Sequence, residues 1–498
     1  MREVEVKFRV HPNFELPELT GIAGLSGTGP PAHHELVAQY VDTGDLRLAR
    51  DGITLRRRVG DGQDGWQLKL PVLDAGEGVR DELHDPDPGE SPPGALTALV
   101  TAWTRFAPLL PVATLVTDRH LLPLLGPAGE LVAELVDDRV EVREGDHAVA
   151  RFREIEVEDK GGGQAVLTLV GGVLSGAGAV GGEFVPKAVR ALGPRASAPP
   201  DPPVPGPVGP DDPVTDAIAA FLRRHVRALM GADLGIRRGQ PDSVHQLRVA
   251  TRRLRSGLKT FAPVLDPEWV AGLREELGWL AREFSPARDA EVLLARLAAE
   301  VERLDPTDVR GPVGKLIEAE LGPELARVTP LVDEVLGSER YIALLQRGVD
   351  GATFPRMLGT GTCAEIVPGL VAEGWRRLTR RVSALDPAGP AEEYHRARIA
   401  AKHARYAVEA AAPVFGKPAR RLATAITSIQ DILGEHQDAV VAAALLRRLA
   451  SAPGGRAATF TLGLLCARQL DAAKRARCEF AGKWPKVSQP ALRQWLDG

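Results

Sequence analysis

The sequence predicts an α+β multidomain protein: a closed barrel of eight β-strands with a charged interior, followed by an all-α pair of duplicated helical bundles. Three observations predict it. Along the first two hundred residues, charged and apolar side chains alternate in segment after segment, the period-two signature of strands with two unlike faces. Between Pro194 and Pro213 stand nine prolines and almost no large apolar residue. Beyond them a motif on helical spacing occurs twice, 150 residues apart: His245-x-x-Arg248-x-x-x-Arg252-x-x-Arg255 and His395-x-x-Arg398-x-x-x-Lys402-x-x-Arg405. At 498 residues the chain is too long for one compact domain and suits two or three.

The strands follow in order. In Glu3-Val4-Glu5-Val6-Lys7, the residues Glu3, Glu5 and Lys7 share one face while Val4, Val6 and Phe8 share the other. Arg56 and Arg58 alternate in the same way, which turns Arg57 outward as a surface residue. Gln67 and Lys69 come next, then Arg80 with Glu82, Thr117 with Arg119, Glu134 with Asp138, and finally Glu154, Glu156 and Glu158. Alternation from Glu134 selects Asp138 over Asp137. The eight segments fall at roughly 2–10, 36–42, 53–59, 65–71, 78–84, 113–121, 131–142 and 149–158, most separated by Gly, Pro or Asp clusters. Eight strands suit a closed barrel that holds a ligand. A wall lined by acids and bases together needs compensation of both signs. A divalent metal on the carboxylates and a phosphate on the cations supply it. His33, His34 and His84 read as surface or loop residues.

These residues carry a family resemblance. Glu3-x-Glu5-x-Lys7, Tyr40-x-Asp42-Thr43, Leu55-Arg-Arg-Arg58, Trp66-x-x-Lys69, Arg80-x-Glu82, Arg119 and Glu154-x-Glu156-x-Glu158, in that order over residues 1–195, resemble the CYTH domain of the triphosphate tunnel metalloenzymes. The resemblance implies an eight-stranded antiparallel tunnel with flanking helices. It implies that the tunnel binds a triphosphate with Mg²⁺ or Mn²⁺ and cleaves it. The residue types agree. Lys7, Arg56, Arg58, Lys69, Arg80, Arg119 and Lys187 are the expected substrate-binding cations, with arginine forks gripping phosphate oxygens in pairs. Glu3, Glu5, Glu154 and Glu156 are the expected ligands of a hard metal ion, with Asp138 beside them. The expected catalytic set is Glu3, Glu5, Lys7, Arg56, Arg58, Lys69, Arg119, Glu154 and Glu156, and the choice of general base among the glutamates stays open.

Charge divides the chain. Residues 1–200 hold 30 acids and 20 bases, a balance of −10, whereas the remainder holds 36 and 42, a balance of +6. In the helical part, positions i, i+3, i+7 and i+10 fall on one stripe, so each motif aligns a histidine with three cations. Lys259 extends the first stripe by a turn. Like charges stacked this way repel unless a polyanion lies across them. A second echo, Arg288-Asp289-Ala290 against Gln437-Asp438-Ala439, recurs at 149 residues and confirms the duplication. With Arg405-Tyr406-x-x-Glu409 and Leu433-Gly434-Glu435-His436, these motifs are similar to the CHAD domain. That resemblance covers about 213–490 and implies two four-helix bundles whose basic faces bind inorganic polyphosphate. The expected polyphosphate-binding residues are His245, Arg248, Arg252, Arg255, Lys259, His395, Arg398, Lys402 and Arg405. His436 is expected to serve an interhelix structural role, and Asp289 and Asp438 to orient the arginines.

The sequence also excludes. Aromatic residues, at 5%, do not alternate with the cations as a base-stacking platform requires, which disfavours nucleic acid. The apolar run Ala165 to Val180 is short for a membrane span and broken by Gly171, Gly172, Gly176 and Gly178. The first seven residues carry four charges and read as a strand, so no targeting segment is expected. Three scattered cysteines suggest free thiols in a reducing compartment. The expected protein is a cytoplasmic, metal-dependent tripolyphosphatase (residues 1–195), with polyphosphate granules as a location. A semi-rigid linker (196–212) joins it to a polyphosphate-binding module in two repeats (213–350 and 351–490). The competing expectations are a non-catalytic scaffold on polyphosphate granules, and a class IV-type adenylate cyclase or thiamine triphosphatase in the same tunnel. Oligomeric state is not legible.

Overall fold

In the computed structural model the chain forms two compact units, residues 1–201 and 202–498. Residues 2–19, 21–72, 79–181 and 185–496 are described, those at 2, 3, 328, 329, 333, 453 and 454 by backbone alone.

The first unit is a closed antiparallel barrel. Its strands are β1 (Arg2–Val10), β2 (Ala32–Asp42), β3 (Thr54–Val59), β4 (Gly65–Pro71), β5 (Val79–Asp85), β6 (Leu110–Leu125), β7 (Leu131–Glu144) and β8 (His147–Asp159). They pair in the order β1-β5-β4-β3-β2-β6-β7-β8, and β8 returns to β1 to close the ring. Two short strands, Gly27–Thr28 and Val180–Gly181, extend the sheet at β6 and β1. Each alternating segment became one strand. The largest excess over expectation is in β6, whose end Leu121-Leu122-Pro123-Leu124-Leu125 is apolar on both faces and carries no period to mark it.

The barrel inverts the usual distribution of polarity. Outward-facing Phe8, Leu135, Ile155 and Val157 form a core with Val166, Leu167, Val170 and Leu174 of helix α1 (Gly163–Gly176), which lies over the outer wall. The apolar run between Ala165 and Val180 is mostly this helix. Phe8 is clasped closely: a Cβ on Gly181 would lie 2.8 Å from its ring, so the ring would have to shift, and one on Gly171 would lie a tight 3.1 Å from it. A second helix, α2 (Lys187–Leu192), closes one end of the barrel: Ala188 packs on inward-facing Ala38, Tyr40, Leu115 and Val140. The proline-rich run is docked on each unit. Pro199 accepts from Arg50 at 2.7 Å and Asp201 pairs with Arg105, while in the helical unit Pro210 and Asp212 carbonyls accept from Ala364 and Cys363 at 2.8 and 2.9 Å.

The second unit is helical: α3 (Val214–Arg237), α4 (Ser243–Phe261), α5 (Pro267–Glu283), α6 (Ser285–Glu302), α7 (Val313–Ala326), α8 (Glu339–Thr353), α9 (Cys363–Ser383), α10 (Ala391–Phe415), α11 (Lys417–Ser451) and α12 (Thr459–Val487). Helices α3, α4, α5 and α8 form one bundle and α9 to α12 the other, with α4 against α10 between them. The duplication explains an asymmetry. Helices α5 and α6 together match the single 35-residue α11. They are interrupted at Phe284–Ser285, where Pro286 supplies no amide proton and restarts the helix at its first turn. The α6–α7 pair packs Leu297, Val313 and Ile317 onto Leu445, Leu446 and Leu462 of α11 and α12.

Candidate active site and anion-binding faces

Inward-facing side chains of the barrel line a cavity of about 710 Å³. Its wall is sided because the sheet order makes it so. Neighbours β7, β8 and β1 contribute Glu134, Glu156, Glu158 and Glu5, whereas neighbours β3, β4 and β5 contribute Arg56, Arg58, Lys69 and Arg80. Register sharpens the division. Glu5 stands opposite Glu158 and Lys7 opposite Glu156 across β1 and β8, and Glu134 opposite Glu158 across β7 and β8. Directly opposed residues of antiparallel strands share a face, so the acids are gathered by pairing alone.

Oxygens of Glu5, Glu156 and Glu158 lie within 4.8 Å of one another, near enough to share one ion. Three carboxylates are the donor set a hard divalent cation prefers, so these residues fit Mg²⁺ or Mn²⁺. The same acids meet resident cations. Lys7 Nζ lies 3.1 Å from Glu5 and hydrogen-bonds Glu156. Lys187, delivered by α2, lies 3.0 Å from Asp138 and 2.8 Å from both Glu154 and Glu156. Burial alone would raise the Glu156 carboxyl, but Lys187, Lys7 and Arg119 hold it well below the ordinary carboxylate range. Burial likewise opposes the Lys187 charge, and Glu154, Glu156 and Asp138 overcome it, so its pKa is raised. Glu156 and Lys187 are therefore both ionised at neutral pH.

Asp138 and Glu154, expected as metal ligands, sit behind this wall, both fully buried. Arg119 holds Asp138 with two bonds of 2.8 and 2.6 Å. Glu154 meets Lys187 and Arg190 at 2.8 Å as ion pairs without hydrogen-bond alignment. Alternation sees that 154, 156 and 158 share a face, but not how deep along the barrel each lies. Glu3 stands opposite Arg80 in register; its side chain lies outside the described residues. Asp137 faces outward to Arg153 at 2.7 Å.

On the basic wall Arg56 is fixed by Gln67 and by the Tyr40 hydroxyl, each at 2.9 Å. Burial would raise the Tyr40 pKa, but the Arg56 charge and hydrogen bond bring it below the usual value. Arg58 pairs with Asp61 at 2.8 Å, and burial together with Arg56 lowers its pKa. Lys69 lies 3.4 Å from Glu82, and Arg80 donates to the Gly52 carbonyl at 3.3 Å. Arg57 points outward to the Pro88 carbonyl. Tyr40, Gln67, His34 and His84 line the cavity without having been assigned to it. For Tyr40 and His34 the signal was present, since both stand an even number of residues apart on β2.

In the helical unit the two stripes meet where α4 packs on α10. Arg248 donates to the Phe284 and Ser285 carbonyls at 3.1 and 2.7 Å and pairs with Asp289 at 3.1 Å. Arg398 lies 3.9 Å from Asp438 at the equivalent place in the second repeat. Arg252 and Arg405 lie over the Tyr406 ring, 5.4 and 4.7 Å from its centre. Burial, Arg398 and Arg252 push Lys402 down to about 8. Further along, burial and the neighbouring Lys259, Arg377, Arg274 and Arg255 push His403 down to about 4. Arg274 and Arg377, on α5 and α9, lie outside the repeated motif and so escaped the sequence reading. The Nε–H groups of Arg252, Arg255, Arg398 and Arg405 have no hydrogen-bond partner within the protein. His245 is lowered by burial and by Arg288, and the buried Nδ1 of His395 has no partner. His436 accepts from Arg477 at 3.0 Å between α11 and α12.

The CYTH domain family matches residues 1–169 and the CHAD domain family residues 220–447. Over 99% of its length the chain is 33% identical to uncharacterized proteins MT2285 and Rv2226 of two Mycobacterium tuberculosis strains, spanning 98% of each. Among solved structures, PptA from Streptomyces chartreusis is 24% identical with a TM-score of 0.46, over 56% of this chain and 100% of that one. The CHAD domain of the plant Ricinus communis is 28% identical with a TM-score of 0.44, over 56% and 96%. The chain thus belongs to the family of proteins in which a CYTH domain is followed by a CHAD domain.

Proposed function

We propose that the barrel hydrolyses inorganic tripolyphosphate with Mg²⁺ or Mn²⁺ and that the helical unit binds long-chain polyphosphate. One observation carries the reading: a 710 Å³ cavity with a carboxylate cluster on one wall and a row of cations on the other. A linear triphosphate laid along Arg56, Arg58, Lys69, Arg80 and Arg119 places its terminal phosphate toward Glu5, Glu156 and Glu158. When bound there, the metal supplies charge neutralisation on the reacting phosphate and acidifies water. Lys7 and Lys187 orient the carboxylates, and Tyr40 with Gln67 holds Arg56 for bidentate contact. Apart from Tyr40 and the imidazoles of His34 and His84, the described wall offers only Leu121 and Pro186 as non-polar residues, which favours an inorganic substrate over one with a purine or thiazole to be gripped. In the helical unit Arg248, Arg252, Arg398, Lys402 and Arg405 form the polyphosphate face, and Arg255 with Lys259 continues it. We assign hydrolysis to residues 1–195 and binding to 213–490. Joining them in one chain raises the local concentration of polyanion near the barrel. No described helix is long and apolar enough to cross a membrane, in keeping with the cytoplasmic location we propose.

The test is orthophosphate release from tripolyphosphate, ATP and thiamine triphosphate with either metal, comparing wild type with Glu156→Gln. Release from tripolyphosphate that the variant loses supports the hydrolase. Pyrophosphate release from ATP, or faster turnover of thiamine triphosphate, transfers the assignment to a cyclase or thiamine triphosphatase. Absence of any turnover, with polyphosphate still bound, leaves a binding scaffold.

A further inference from the structure

The outer wall of the barrel carries a second constellation that the interior chemistry does not use. On β2 and β6, His33 stands directly opposite His120, and Asp118 lies two residues from His120 on the same face. Ligand atoms of all three lie within 4.8 Å of one another. Asp118 Oδ1 bridges the two rings, 2.5 Å from His33 Nε2 and 3.4 Å from His120 Nε2, and the ring centres are 4.8 Å apart. The side chains are 59%, 44% and 49% exposed for His33, Asp118 and His120, so none of them serves the core.

We propose that His33, Asp118 and His120 form a binding site for a borderline divalent metal, Zn²⁺ foremost, distinct from the interior carboxylates. The argument is one of donor chemistry. Two imidazoles and a carboxylate match the nitrogen and oxygen ligands of tetrahedral zinc, and exposure leaves the fourth position to water. The interior cluster is all oxygen and takes a hard ion instead. A directly opposed pair on antiparallel strands needs no loop to bring its ligands together, so the site is preorganised by the sheet. Register also supplies its surroundings: Glu35 stands opposite Asp118 on β2, and on β7 Arg139 faces Asp118 while Asp137, held by Arg153, faces His120. An ion here ties β2 to β6 at the level where the same strands turn His34 and Arg119, opposite each other, inward. The site thus braces the barrel behind the proposed substrate cations. It stands or falls independently of what the barrel hydrolyses.

The test is equilibrium dialysis of the full chain against Zn²⁺ in excess Mg²⁺, which keeps the interior acids supplied with their own ion. One zinc bound per chain is expected. Loss of an outer-shell partner alone weakens metal sites by roughly 10–100-fold, so His33→Ala and His120→Ala should each weaken binding at least about tenfold. Glu156→Gln should leave it intact. Cu²⁺ in the same place should show electron paramagnetic coupling to two nitrogens, reduced to one in either histidine variant. No zinc bound, zinc that survives both histidine variants, or zinc lost with Glu156→Gln would each overturn the assignment. Because the three side chains lie at the surface on two different strands, the single variants should retain the wild-type fold by circular dichroism.

Discussion

Lys402 offers the sharpest test of the polyphosphate face. Its amine titrates near 8 because it is buried beside Arg398, Arg252 and Arg405, with only Asp438 in opposition. A polyanion laid over this cluster cancels the repulsion and returns the lysine toward its ordinary value of 10.5. Binding above pH 8 therefore takes up a proton, and affinity falls as pH rises through the window between the two values. With full restoration on binding, affinity at about pH 9.5 is roughly 30-fold weaker than at pH 7, from the two protonation curves. Fluorescence anisotropy of end-labelled long-chain polyphosphate at fixed ionic strength measures it, since the internal phosphates stay ionised throughout. Lys402→Arg keeps the charge at all these pH values and should flatten the profile. A flat wild-type profile, or a fall of the same size in the arginine variant, would refute the reasoning.

Asp138→Asn strips the buried Arg119 of its two-bond ionic partner and Lys187 of one of its three carboxylates, a loss of about 3–5 kcal/mol; the calorimetric midpoint of the barrel should drop on the order of 10 °C, and an unchanged midpoint would count against the buried network. Lys187→Met removes the first cause of the low Glu156 pKa, so that carboxyl titrates higher. The acid limb of the rate profile, where activity is lost as pH falls, then moves to higher pH. Tyr40→Phe deprives Arg56 of one hydrogen bond worth about 1 kcal/mol, so KM for tripolyphosphate should rise about fivefold with kcat little changed. Chelation by EDTA should abolish phosphate release and added Mg²⁺ or Mn²⁺ restore it, while polyphosphate binding by the helical unit persists; binding lost with the metal would show that the two sites are not separate.

Much of this architecture was legible because the barrel is polar within. A strand whose inner face is charged and whose outer face is apolar shows its period plainly, and Glu154-Ile155-Glu156-Val157-Glu158 could be assigned side by side from sequence alone. The repeated helical motif was equally plain, because an offset of 150 residues needs no structure to be seen. What remained hidden was depth and partnership. Nothing in the period separates Glu158, near the cavity, from Glu154, which is enclosed by Lys187 and Arg190 of a helix that follows the last barrel strand by nearly thirty residues. Arg274 and Arg377 were hidden for a related reason: packing, not spacing, brings them to Lys259 and His403. The outer His33 read as a surface residue and Asp118 and His120 drew no reading, because their proximity exists only across the pairing of β2 with β6.

The position of Lys187 has a consequence for how the site takes up a metal. Sites built from clustered carboxylates often cannot assemble until an ion arrives, and the domains that carry them then depend on metal supply for their very existence. Here the acids stand against Lys7 and Lys187, which balance part of their charge within the folded barrel. An incoming divalent ion meets a place already kept by a primary amine, and must share or displace it. Occupancy of the site would then be a competition between an ammonium group and a metal ion for the same carboxylates.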